Sequence, residues 1–111
     1  MAAEGFASLS SVSTSQDGST LDLGVLRRHH AMFVDINGSL GTSVGSATVS
    51  LEVSWDGTNW IGVASESANS SNFLASPALL TYDGAARYVR ASLNIPTPTG
   101  GGSLSAYVAS L

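Results

Sequence analysis

The feature that most constrains the fold is the strict alternation of apolar and polar residues in short segments. In residues 48–55 every second side chain is apolar, at Val49, Leu51, Val53 and Trp55. Since successive side chains of a strand point to opposite faces of a sheet, this pattern predicts a strand with one buried face. We therefore expect Trp55 to lie in the core with the three residues that share its phase.

A tight turn follows this strand. Residues 56–59 read Asp-Gly-Thr-Asn, and apolar character resumes from Trp60 to Val63. Asp, Gly and Asn supply the backbone conformations that a hairpin reversal needs. The two segments and their turn are predicted to form a β-hairpin.

The rest of the chain has the same organisation. Further strands are predicted at 6–12, 20–24, 29–36, 87–95 and 103–109, with a short edge strand near 73–80, turns at 16–19 and 82–84, and loops at 37–45, 65–72 and 95–102. No segment shows sustained helical periodicity. The sequence therefore predicts an all-β fold, an antiparallel β-sandwich of about eight short strands, with jelly-roll-like and immunoglobulin-like arrangements both open.

One of these strands carries apolar residues on both faces. In 29–36, Met32 and Val34 share one face with His30, whereas Phe33 alternates with them on the other. A strand that is apolar on both sides is typical of one covered on both sides. We expect this for residues 29–36.

Composition limits the class of protein. Hydrophobic residues make up 43% of the 111 residues and charged residues only 11%, and no cysteine is present. This content favours one folded domain spanning 1–111, with 1–5 as a flexible N-terminal arm and no disulfide or thiolate site. The start of the chain lacks a leader pattern, and no apolar run approaches the roughly 20 residues of a membrane helix, so we expect an unprocessed, soluble product without a membrane partner.

The charge balance argues against nucleic acid as a partner. The four basic residues are all arginines, and eight acids give a formal charge of −4. Binding through phosphate neutralisation needs a basic surface, which this composition does not supply.

The sequence contains few of the residue patterns that catalytic and metal sites use. His29 and His30 are adjacent and would point to opposite faces of a strand, so they cannot chelate one metal as a pair. Asp17, Asp56 and Asp83 each precede a glycine, as turn residues do. We expect no enzymatic activity, no cofactor and no metal.

Cationic and aromatic residues supply candidate contacts for a partner or a second subunit. The densest cationic run is Arg27-Arg28-His29-His30, although a solvated surface explains such a run equally well. The full candidate interface comprises Arg27, Arg28, His29, His30, Trp60, Arg87 and Arg90. Trp60, with Tyr82 and Tyr88, would also suit stacking on a sugar ring.

Two segments of the sequence resemble known protein families. Residues 49–60, which contain the Asp-Gly-x-x-Trp turn, and the later Arg-Tyr-Val-Arg strand at 87–90 resemble small β-sandwich structural proteins of tailed bacteriophages, including capsid decoration (cement) and head-fibre proteins. The segment 17–24 is similar to these as well. The same phrases more weakly resemble discoidin-like (F5/8 type C) binding domains, which are usually longer and often closed by a disulfide.

The phage resemblance implies a non-enzymatic virion protein assembled in the cytoplasm of the bacterial host. Its expected role is that of a decoration protein, bound as a homo-oligomer to the major capsid protein or another virion protein on the outer capsid surface. A homotrimer is favoured because icosahedral lattices offer threefold sites. The alternatives are a tail, fibre or head-completion component, and a carbohydrate-binding discoidin-like module.

Overall fold

The computed structural model describes residues 5–68, 74 and 76–111, and their regular secondary structure is entirely β. Nine strands follow one another: β1 (Phe6–Val12), β2 (Gln16–Asp17), β3 (Leu21–Asn37), β4 (Gly41–Thr42), β5 (Ala47–Ser54), β6 (Ile61–Ala68), β7 (Ala78–Asn94), β8 (Pro98–Thr99) and β9 (Ser103–Ser110). Every pair of neighbouring strands is antiparallel. The predicted all-β antiparallel class is confirmed.

Seven strands form one sheet and two form a small second sheet. The large sheet has the order β1-β9-β3-β7-β5-β6, with β2 paired to β7, and β4 pairs only with β8. The first and last strands of the chain are therefore neighbours, with Phe6 opposite Val108.

Two long strands give the large sheet its sandwich-like form. The C-terminal half of β3 lies between β9 and the start of β7, where Phe33 is opposite both Tyr107 and Leu79. The C-terminal half of β7 pairs instead with β5 and with the start of β3. We call β1, β9, the C-terminal half of β3 and the N-terminal half of β7 the first layer, and β5, β6, β2 and the remaining halves the second layer.

The core lies between these two layers. Met32 and Val34 of the first layer and Leu51 and Val89 of the second are fully buried in one hydrophobic cluster. The whole buried set comprises Leu9, Met32, Val34, Leu40, Ala47, Val49, Leu51, Val53, Ala68, Leu74, Ala86, Val89, Ala91, Leu93, Ile95, Leu104, Ala106 and Val108. Burial of these apolar side chains against each other drives the folding of the layers onto one another.

Irregular pairing marks the place where β3 passes between layers. Its register against β7 shifts between Asp22 and Arg27, and again between Arg27 and His29. Gly24, inside the first irregular stretch, has a φ of 80°, a conformation that glycine adopts at little cost. Bulges of this kind bend a strand and increase its twist.

The sequence divided these long strands wrongly. Residues 21–24 of the first predicted segment and all of 29–36 belong to the single strand β3, and the turn predicted at 82–84 is absent because β7 continues through it. The predicted turn at 16–19 contains β2, and the loops at 37–45 and 95–102 contain β4 and β8. Each of these very short strands is defined by a distant partner, which local composition does not reveal.

Other boundaries agree with the prediction. β1 covers the predicted 6–12, β9 extends the predicted 103–109 by one residue, and β5 and β6 form the predicted hairpin. Residues 65–68 of the predicted loop belong to β6. Residues 1–4 of the predicted arm, 69–72 of that loop, and residues 73 and 75 of the predicted edge strand lie outside the described residues.

The expectation that 29–36 is covered on both sides is wrong for the single chain. His30, Met32 and Val34 are buried, but His29, Phe33 and Asp35 on the opposite face are exposed. Only one layer packs on this strand. In the described part of the chain no helix has the length and apolar character to span a membrane.

Candidate functional site

The cationic run on β3 is divided between surface and interior. Arg27, Arg28 and His29 are exposed, whereas His30 is 3% exposed. Neither arginine takes part in an ion pair with another described residue. Three members of the predicted interface are thus available to a partner, and His30 is not.

His30 joins three strands at the corner where β3 bends. Its Nε2 lies 2.9 Å from the carbonyl oxygens of both Arg27 and Gly84, and its Nδ1 lies 2.7 Å from Ser110 Oγ. Because carbonyl oxygens only accept hydrogen bonds, Nε2 carries a proton, and in the neutral ring Ser110 donates to Nδ1. The ring also stacks on Tyr82, with centroids 6.2 Å apart. His30 therefore has a structural role in the bend.

His29 lies on the outer side of the same corner. Its Nδ1 is 3.0 Å from Asp83 Oδ1, and both side chains are largely exposed to solvent. Exposed pairs of this kind contribute little to stability. The pair places one acidic and one titratable basic group beside Arg27 and Arg28.

Trp60 and Arg90 are held together in the second layer. The Arg90 guanidinium lies 4.1 Å from the centre of the Trp60 ring, its Nε donates to Glu52 at 2.7 Å, and its Nη2 lies 3.5 Å from Asp17. These contacts link β2, β5 and β7. One face of the Trp60 ring is covered by Arg90 and is closed to a ligand.

Arg87 is held by a carboxylate and an aromatic ring. It donates to both carboxylate oxygens of Asp22, at 2.9 and 3.2 Å, and lies 5.1 Å from the centre of the Tyr88 ring. The hydrogen bond from Arg87, and then the one from the Gly24 amide, lower the pKa of Asp22 below its usual value. The bond to Asp22 in turn raises the pKa of Arg87. The predicted interface residues thus belong to separate clusters rather than to one site.

Trp55 is not a core residue, contrary to the prediction. It is 66% exposed, because β5 ends at Ser54 and the chain turns before the alternation can continue. The Ser54 hydroxyl accepts hydrogen bonds from the amides of Asp56 and Gly57, which forms a local turn. Trp55 therefore leaves the sheet and lies on the surface.

An apolar groove with a volume of about 270 Å³ lies beside Trp55. The indole Nε1 donates to the Ala85 carbonyl at 2.6 Å and fixes the ring, while Ile61, Val63 and Tyr82 also line the groove. A surface tryptophan held in one orientation is suited to stacking on a ligand at low entropic cost. The sequence argument had assigned this possibility to Trp60 instead.

The carboxylate at the edge of the groove is occupied by its own turn. Asp56 Oδ1 accepts from the amides of Thr58 and Asn59, each at 2.8 Å, and Oδ2 accepts from the Asn59 side chain. These hydrogen bonds, with the Asn59 amide first, hold the pKa of Asp56 far below its usual range. Asp56 is a stable anion of the hairpin turn and has no proton to give at neutral pH.

The outer face of the first layer carries a row of exposed apolar side chains. Leu79, Phe33 and Tyr107 lie opposite one another on three neighbouring strands and are 65%, 43% and 37% exposed. Sequence reasoning noticed Phe33 but explained it by coverage. The sequence signal for this open surface was a strand with apolar residues on both faces. A domain of this size has no third layer to cover the second face, so that face stays exposed.

Possible metal ligands are sparse. Within residues 5–68, 74 and 76–111, no three His, Asp or Glu side chains come close enough to hold an ion. The His29–Asp83 pair has only two such groups.

The chain matches no protein-family model and no curated protein. Its fold is similar to that of a prophage protein. The crystal structure of the SPBc2 prophage-derived protein YomS superimposes with a TM-score of 0.59 at 13% sequence identity, over 99% of this chain and 94% of that one. At this identity the likeness concerns the fold, and it extends over nearly the whole of both chains.

Proposed function

We propose that this chain is a non-enzymatic structural protein of a bacteriophage particle, with decoration of the outer capsid surface as its role. The observation that carries the proposal is the shared fold with a prophage-derived protein along nearly the full length of both chains. The exposed apolar face around Phe33 supports it, because assembly subunits need a surface of this kind.

The state of the charged groups supports a role without catalysis. Asp22 and Glu52 are bound by Arg87 and Arg90, and Asp56 is bound by its own turn. Groups poised for acid–base work instead have pKa values shifted toward neutrality. The one described histidine in the interior, His30, has both ring nitrogens hydrogen-bonded within the fold.

The test is the composition of phage particles. Particles of the phage that carries this gene would be purified by density gradient and analysed by quantitative mass spectrometry. We expect the chain to be present in them as a multicopy component. Its absence from particles, with the protein abundant in the lysate, would contradict the structural role.

Separated heads and tails distinguish decoration from the alternative of a tail, fibre or head-completion component. A decoration protein is found on heads, in a copy number set by the capsid lattice, and can be added back to heads produced from a phage lacking the gene. A fibre or completion protein is found in few copies. The homotrimer on a threefold site remains a prediction, and the copy number of the protein on heads also tests it.

A second candidate function is carbohydrate binding, favoured by one observation, the exposed and immobilised indole of Trp55. The site would be the groove beside it, and not the Trp60 ring that Arg90 covers. On a glycan array we expect any binding to be lost in Trp55→Ala and retained in Phe33→Ala, a matched change at another exposed aromatic residue. An array without hits, or equal binding by both variants, would rule this function out.

A further inference from the structure

We propose that the outer face of the first layer binds the same face of a second copy of this chain through a two-fold contact. This inference rests on the shape and charge of the face and does not depend on the phage role.

The face consists of two adjacent rows of side chains. The row Leu79–Phe33–Tyr107, which we call the ridge, is large, apolar and exposed. The row Thr81–Ala31–Ala109, which we call the trough, lies two residues away along the same strands and has short side chains. Two residues of a strand span about 7 Å, so ridge and trough are immediate neighbours.

The trough is a real depression in the surface. A cavity of about 210 Å³ is lined by Ala31, Thr81 and Ala109 of the trough, together with His29, Asp83 and Leu111. Its lining is mainly apolar, so a large apolar side chain would fill it well. The ridge of a second copy carries large apolar side chains with the same spacing between strands.

A single symmetry operation satisfies both rows. A two-fold axis that lies between two facing sheets and crosses the strands at the level of Met32 exchanges the levels of Ala31 and Phe33. The ridge of each copy then lies over the trough of the other. Sheets that pack face to face are about 10 Å apart, with their side chains interleaved, which is the geometry this arrangement needs.

Charge supports the same axis. It exchanges the level of His29 with that of Asp35, which is exposed and forms no ion pair with a described residue. Beside His29 lie Arg27 and Arg28, also without an ion pair in the described part of the chain, while Asp83 is already paired with His29. The end of each face next to the exposed Arg27 and Arg28 therefore meets the end of the other face that carries Asp35, twice in one contact.

Two features of this face favour a second copy of the chain as its partner. Both the steric match of ridge to trough and the match of Arg27, Arg28 and His29 to Asp35 arise from one chain and one operation. The contact is two-fold, in contrast to the trimer favoured by the symmetry of capsid lattices. The mass of the oligomer in solution distinguishes a dimer from a trimer.

The experiment is native mass spectrometry and light scattering of the full chain over a concentration series. We expect a monomer–dimer equilibrium. Leu79→Glu should raise the dimer dissociation constant at least tenfold, since it puts a charge into the apolar trough of the partner. The control is Val44→Glu, which changes another exposed apolar residue, outside both rows, and should leave the constant unchanged.

Asp35→Arg provides a second, independent variant and should also weaken the dimer, the more so at low salt. Thermal melts followed by circular dichroism establish that each variant is folded, and the Asp35 variant decides the matter if the Leu79 variant does not fold. A wild-type chain that stays monomeric or forms trimers would overturn the proposal, as would dimers insensitive to both changes. None of these outcomes would remove the chain from phage particles, so the proposed function is tested separately.

Discussion

Asp56 shows how one side chain fixes the shape of an exposed turn. Its carboxylate accepts two backbone amides and the Asn59 side chain, and the Ser54 hydroxyl also donates to it. A charged acceptor makes such bonds stronger than a neutral one does. The Asp-Gly pair that predicted the turn is therefore also the reason why Trp55 is directed out of the sheet.

The lowered pKa of Asp56 predicts a specific pH dependence. A carboxyl whose pKa is lower in the folded than in the unfolded state stabilises the fold above its unfolded pKa of about 3.9, and this contribution is lost as the pH falls below that value. We expect Asp56→Asn to lower the urea midpoint at pH 7. The difference from the wild type should shrink between about pH 5 and pH 3. A difference that stays constant over this range would contradict the assignment.

At the scale of elements, Arg90 of β7 connects β2 and β5, two strands that each pair with β7. Its side chain is only 18% exposed and binds Glu52, which is 21% exposed, while Asp17 and Trp60 complete its surroundings. An anion left partly buried without its partner loses more than the bond itself.

We expect Arg90→Ala to lower the free energy of unfolding by about 1–3 kcal/mol, because Glu52 would then lack its cation. Arg28→Ala, at an exposed arginine with no ion pair to a described residue, serves as the control and should change it by less than about 0.5 kcal/mol. Urea denaturation of both variants at low protein concentration, where copies do not pair, measures this. Equal effects of the two substitutions would show that the Arg90 cluster adds nothing to stability.

The sequence predicted elements whose signal is local and missed those whose signal is not. Alternation at Val49, Leu51 and Val53 identified β5 and its buried face, since period two needs no knowledge of the partner. The continuity of β7 through Tyr82–Gly84 was missed, because glycine next to aspartate usually marks a turn and only pairing with β3 keeps this segment extended. The division of the candidate interface residues into separate clusters was missed for the same reason.

At the scale of the whole molecule, the sandwich depends on the corner where β3 passes between layers. His30 binds the carbonyls of Arg27 and Gly84 there and also reaches Ser110, so β3, β7 and β9 share one buried group. Sequence analysis predicted that His29 and His30 point to opposite faces of the strand but placed both in the candidate interface, whereas the structure buries His30 and exposes His29.

We expect His30→Ala to lower the free energy of unfolding by at least about 2 kcal/mol, because it leaves two carbonyl oxygens and a hydroxyl without their partner. His29→Ala, at an exposed position in the same strand, should have a small effect. Urea denaturation at low protein concentration, where copies do not pair, compares the two. Similar losses for both would argue against a special role of the corner.

The adjacency of β1 and β9 also determines when this protein can fold during its synthesis. Phe6 is paired with Val108, and β9 lies between β1 and β3. The first layer therefore cannot be completed until β9 has left the ribosome, and β1 must wait for a partner that lies far along the chain. Pairing over so long a stretch of chain is slow to form and leaves apolar strands exposed in the meantime. Nascent chains should thus depend on chaperones until β9 has been made, even though the folded domain is small.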